Sequence, residues 1–207
     1  MRQNTIAAYF AINFNLSKMK FIFASDFLKS SYFYVDVFIL IILYTLQGFP
    51  IGLSDVFPYI IQTLGASYKD LAKFSITSWP FSLKLLWAPF IESIYIRFIG
   101  RRKTWIVLTQ LSIGSILIFL SMKVEFYLAN ISLQHIMNSL IFIFTILTFL
   151  AATQDIAVDG WGLNLIPRAY ISYASLCNTV GQTAGYIIGN LLFLVLTSSF
   201  LNFLTNS

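Results

Sequence analysis

The chain has 207 residues, 58% hydrophobic and 10% charged, with a mean hydropathy of +0.79 and a formal charge of +5. Soluble domains carry roughly 25% charged residues, so this composition excludes an ordinary soluble domain and points to helices in lipid. The basic residues cluster at the ends of apolar runs and form no continuous stripe, which argues against a nucleic-acid-binding face.

Residues 1–35 hold one apolar piece, IAAYFAINF, too short to cross a bilayer, which takes roughly 20 residues. No small-residue cleavage site clearly follows it, so the segment reads as a cytoplasmic N-terminal extension rather than a signal peptide. Five spans then follow, and the first runs from about Val37 to Leu64. Its stretch LQGFPIGLSDVFP crowds Gly48, Pro50, Gly52 and Pro58 together, with Gln47 and Asp55 alongside. Proline removes a helix donor and glycine loosens the backbone. The stretch is therefore either a helix break of the kind that marks a transporter binding site, or a kink in a packed helix.

The second span, from about Leu71 to Ile94, contains WPFSLKLLWAPF with Lys84 near its middle. A lysine at mid-bilayer costs roughly 2.5–3.5 kcal/mol, so it needs an aqueous cavity or an acid. Either Lys84 attracts an anionic solute in a pathway, or it forms a structural ion pair with Asp55 or Glu92. Arg97, Arg101, Arg102 and Lys103 follow, before a third span from about Trp105 to Met122. With Arg2, Lys18, Lys20 and Lys29 ahead of span one, and Arg168 between spans four and five, these cations place the N-terminus in the cytoplasm. The tripeptide Asn130-Ile131-Ser132 then falls on the opposite side, where Asn130 is a candidate glycosylation acceptor.

The fourth span, from about Ile136 to Val158, ends in LAATQDIAVDGWGLN. Asp155 and Asp159 are four residues apart, so on a helix two like charges share one face and repel. The fifth span, from about Tyr170 to Thr197, carries Gly181, Gly185 and Gly189 at four-residue spacing, a helix-packing face. Asn178, Gln182 and Asn190 on it either line a cavity or bond between helices. Cys177 reads as a small buried hydrophobe, and His135 as a solvated loop residue. There is no nucleophile–base constellation, metal-ligand cluster or phosphate-binding glycine loop, and no histidine lies inside a span. The chain is therefore read as a non-enzyme without metal or cofactor, and a membrane acyltransferase is disfavoured.

Taken in order, LQGFPIGL, WPFSLKLLWAPFIESIY, GRRKTW, FLAATQDIAVDGW and YASLCNTVGQTAGYIIGNLLF resemble the acetyl-coenzyme A transporters of the endoplasmic reticulum, within the major facilitator superfamily. The resemblance runs from about Asp36 to Phe193. SLKLLWAP and ATQDIAVD are also similar to stretches of bacterial muropeptide permeases, while CNTVGQTAGYIIGN leans towards the acetyl-coenzyme A branch. It implies an all-α membrane protein with a partial facilitator fold: about five transmembrane helices of an N-terminal six-helix half, in residues 36–207. It further implies carriage of acetyl-CoA from cytosol to lumen and a multi-pass location in the reticulum membrane. A complementary C-terminal half or a full-length carrier is the expected partner, because the chain reads as a fragment, a split gene product or a degraded copy.

As polar residues inside apolar spans, Lys84, Gln47, Asp55, Asn178 and Gln182 are the candidates for the solute pathway. In the superfamily a comparable basic loop pairs with acids at the end of helix four, which implies a gating latch of Arg101 and Arg102 with Asp155 and Asp159. Glu92 resembles the acid of that loop's signature, at a longer spacing. A structural pair and a proton-coupling or substrate role remain the other readings of the two acids. The competing functions are a non-transporting or regulatory membrane half, and a permease for another bulky anion such as a muropeptide-like solute.

Overall fold

Every regular element among the described residues is helical. The computed structural model describes the backbone of residues 2–131, 133–166 and 170–205, and side chains within 33–131, 133–166 and 170–195. Two units are distinguished, residues 1–39 and 40–207. Helix α1 is Arg2–Thr63, and in the first unit the rings of Phe33 and Tyr34 meet edge to face at 5.9 Å. Arg2, Lys18, Lys20, Lys29 and Arg168, used above for orientation, lie outside the residues whose side chains are described.

In the second unit, α5 (Arg101–Ala129) and α6 (Gln134–Leu165) form an antiparallel hairpin. At 1.5 Å per residue they extend about 43 and 48 Å, enough to cross a hydrocarbon core of about 30 Å. Among the described residues, three helical stretches are long and apolar enough to do so: Phe33–Thr63, Arg101–Ala129 and Gln134–Leu165. The chain is thus an all-α, multi-pass membrane protein with a partial facilitator-type fold. At the hairpin tip the Asn130 amide donates to the Phe126 carbonyl at 2.9 Å, closing the end of α5. The candidate glycosylation acceptor thus already has a bond within the helix end, while Ser132 lies outside the described residues.

The second span departs from the continuous helix expected over residues 71–94. It consists of α2 (Tyr68–Phe74), a 3-10 turn (Ser75–Ser78), α3 (Trp79–Leu83), a second 3-10 turn (Lys84–Leu86) and α4 (Ala88–Ser93). Proline explains both restarts. Pro80 and Pro89 stand in the first turns of α3 and α4, where a missing N–H costs nothing. A broken helix leaves carbonyls that lipid cannot satisfy. The Thr148 hydroxyl of α6 donates to the Thr77 carbonyl at 2.6 Å, supplying one such partner. Thr148→Val, which keeps the shape and removes the donor, is expected to destabilise the protein by about 1–3 kcal/mol in a lipid-nanodisc unfolding assay.

The break expected in span one is absent, since α1 continues through Pro50 and Pro58. Its glycines instead meet α7 (Ser172–Thr205): Gly48 and Gly52 face the backbone of Gln182 and Tyr186. Gly181, Gly185 and Gly189 face Ile41, Thr45 and Phe49 in turn, so the two helices run parallel at backbone contact. That contact brings a second helix against the proline-bearing turn, and a packed neighbour is what allows proline inside a membrane helix. The core beneath is aromatic. Phe57 of α1 lies 4.5 Å from Phe144 of α6, 5.5 Å from Phe74 of α2 and 6.0 Å from Phe193 of α7, centroid to centroid.

Candidate functional site

Helices α1 and α6 run antiparallel and present polar residues at matched spacing. On α1, Tyr44 and Gln47 are three apart; on α6, Asp155 and Asp159 are four apart, so each pair shares a face. Gln47 Nε2 donates to Asp155 Oδ1 at 2.7 Å, and Tyr44 OH donates to Asp159 Oδ1 at 2.7 Å. The broken second span supplies the cation: Lys84 Nζ donates to Asp155 Oδ2 in an ion pair. Helix α7 adds Asn178 Nδ2, which donates to Asp159 Oδ1 at 3.1 Å. Three segments therefore converge on two carboxylates of α6 that looked merely repulsive in sequence.

The two acids differ in what answers them. Asp155 has a cation and an amide, whereas Asp159 has a phenol and an amide. Its side chain is 3% exposed, against 33% for Lys84, so Asp155 is sealed while the lysine keeps one open side. The short 3-10 turn at Lys84–Leu86 is what aims that side chain inward from a segment largely exposed on its other face. A buried carboxylate fixed by a partly open ammonium has the chemistry to release the ammonium to an arriving anion while Gln47 still holds the acid.

The other candidates fall elsewhere. Asp55 lines a cavity of ≈ 490 Å³ between α1 and α2. Gln182 lines a separate cavity of ≈ 340 Å³ with Ile51, Phe81 and Tyr186. Neither Asp55 nor Glu92 is the partner of Lys84; that partner is Asp155. Among the described residues the ion pairs are Lys73–Asp70 and Lys84–Asp155, so neither Arg101 nor Arg102 is paired with Asp155 or Asp159 in this conformation. The physical reason is competition, because both acids already have donors on α1, α7 and the second span. Arg101 lies over the Tyr95 ring and Lys103 over Trp161, each 5.5 Å from the centroid. Tyr44 was missed in sequence, although its three-residue offset from Gln47 in an otherwise apolar run marks it.

Gln154, fully buried beside Asp155, has no hydrogen-bond partner on either amide atom among the described residues, and Gln47 Oε1 is likewise unpartnered. The centre of the unit is therefore polar beyond what its own hydrogen bonds consume.

Comparison with known proteins places this arrangement in a family. A profile described as acetyl-coenzyme A transporter 1 matches residues 36–205. An uncharacterized protein of Schizosaccharomyces pombe is 42% identical over 164 residues, covering 79% of this chain and 31% of its own length. An uncharacterized membrane protein of Saccharomyces cerevisiae is 36% identical, covering 78% of this chain and 32% of its own. The anhydromuropeptide permease of Escherichia coli is 25% identical, with 79% and 32% covered. The chain thus spans about a third of the length of the curated relatives it matches. No solved structure matches it significantly. With the match extending over nearly all of the second unit, the chain belongs to the acetyl-coenzyme A transporter 1 family of membrane transporters.

Proposed function

We propose that the chain forms the N-terminal portion of a carrier that moves acetyl-CoA from the cytosol into the lumen of the endoplasmic reticulum. The observation that carries this reading is the Lys84–Asp155 ion pair in a broken membrane segment. A lysine held by one buried acid and open on its other side is a reversible binding point for a polyanion. Arrival of a phosphate group gives the ammonium a second anion, and Gln47 keeps Asp155 hydrogen-bonded as the pair loosens. A complementary C-terminal half supplies the opposite wall, since a facilitator site lies between two halves that rock against each other. In this proposal the N-terminus is cytoplasmic, as the clustered basic residues favour.

The permease relative supports a second reading, a different bulky anion of muropeptide type. Proteoliposomes containing the carrier, with its second half supplied, separate the two. Labelled acetyl-CoA is expected to accumulate, with excess unlabelled acetyl-CoA competing and an anhydromuropeptide failing to compete. Competition by the muropeptide alone would favour the second reading, and no uptake of either would favour a non-transporting half.

A further inference from the structure

Where α5 begins and α6 ends, three cations crowd one cavity that the intramembrane site does not use. The space is ≈ 280 Å³ and is lined by Gly100, Arg101, Arg102, Lys103, Trp161 and Asn164, among others. None of the three cations has a carboxylate partner among the described residues. Arg102 is held closest: a Cβ added at Gly160 would stand 2.8 Å from its guanidinium carbon, so that glycine makes room for it. Its Nη1 is sealed from solvent and has no hydrogen-bond acceptor among the described residues. The aromatic faces of Tyr95 and Trp161 orient Arg101 and Lys103 without cancelling their charge. Helix α5 also starts at Gly100 with no side-chain cap, leaving first-turn N–H groups turned to the same end.

Like charges gathered this closely repel, and a buried guanidinium nitrogen without an acceptor costs stability. An anion in the cavity offsets the repulsion. We propose that this cavity is a binding site for a phosphate group, distinct from the Lys84 site, with Arg102 as its fixed anchor. Arginine suits that task because its planar fork matches two phosphate oxygens, while Arg101 and Lys103 supply further charge from the rim. The same chemistry is offered by a soluble phosphorylated solute and by an anionic phospholipid headgroup at the membrane surface. The inference does not depend on which solute the carrier moves.

The test uses the purified chain in phosphatidylcholine nanodiscs and reads its thermal midpoint, which rises when a ligand binds the folded state. One arm adds inorganic pyrophosphate against chloride at equal ionic strength; the other replaces part of the lipid with phosphatidic acid and adds no soluble phosphate. A rise in the first arm assigns a soluble phosphoanion, and a rise in the second a headgroup; either supports the site. Arg102→Gln is expected to need about tenfold more ligand for the same rise. Gly160→Ala keeps every charge but displaces the guanidinium, and the same weakening is expected. Lys123→Gln, on an exposed residue near the other end of α5, should leave the response unchanged. No rise in either arm, a rise unaffected by both Arg102→Gln and Gly160→Ala, or equal weakening by Lys123→Gln would overturn the assignment.

Discussion

Lys84→Met is expected to cost about 3 kcal/mol of stability, and Asp155→Asn in the same chain to restore most of it. Methionine keeps an unbranched side chain of nearly the same reach and removes the charge, leaving Asp155 buried with a neutral amide as its remaining partner. Breaking a buried pair from one side strands a charge, whereas removing both charges does not. The cost sits at the lower end of the usual range because the ammonium is 33% exposed on its side chain. Asparagine at 155 retains an oxygen to accept the Gln47 hydrogen bond, so the double variant loses the ion pair and little else. Unfolding of the parent, the single variant and the double variant in lipid nanodiscs checks this. A single variant as stable as the parent, or a double variant no better than the single, would show that the pair is not the buried contact described.

The largest packing effect is expected at the α1–α7 seam. A Cβ at Gly185 falls on the Thr45 carbonyl and stands 3.0 Å from the Gly48 Cα, so its obstacles are backbone and cannot rotate away. Overpacking against mobile side chains typically costs about 1–3 kcal/mol, and Gly185→Ala should reach or exceed the top of that range. Gly114, inside α5, has nothing within 4 Å of an added Cβ. There Gly→Ala should stabilise by about 0.5–1 kcal/mol, because alanine loses less chain entropy in a helix. Opposite signs from two chemically identical changes would come from neighbour distance alone. Equal effects would mean that the two helices are not in backbone contact.

Both results bear on what was readable in advance. The membrane class, the α5–α6 hairpin and the isolation of Lys84 in its span follow from composition and hydropathy, which are local properties. The partner of Lys84 does not, since Asp55, Glu92 and Asp155 are equally acidic on paper and only the packing of α6 against the second span selects among them. The break was misplaced for a related reason. Prolines occur in both of the first two spans, but in span one Gly48 and Gly52 accept the backbone of α7, and the helix stays continuous. In span two Pro80 and Pro89 each begin a new helical turn instead. The basic loop was read as answering the two acids because of its sign and its place at the same membrane edge. Tyr44, Gln47, Lys84 and Asn178 answer those acids, so among the described residues the loop's cations have no carboxylate partner.

The central question is whether Lys84 contacts the solute or only completes a structural pair, and the stability-matched double variant answers it. Uptake of labelled acetyl-CoA should be measured in proteoliposomes carrying the carrier with Lys84→Met and Asp155→Asn, normalised to folded protein. Loss of a charge-assisted contact worth about 3 kcal/mol corresponds to roughly a hundredfold fall in uptake. A folded double variant with that deficit is the expected result. A folded double variant that transports at the parent rate would contradict it, and would reduce the Lys84–Asp155 pair to a structural contact.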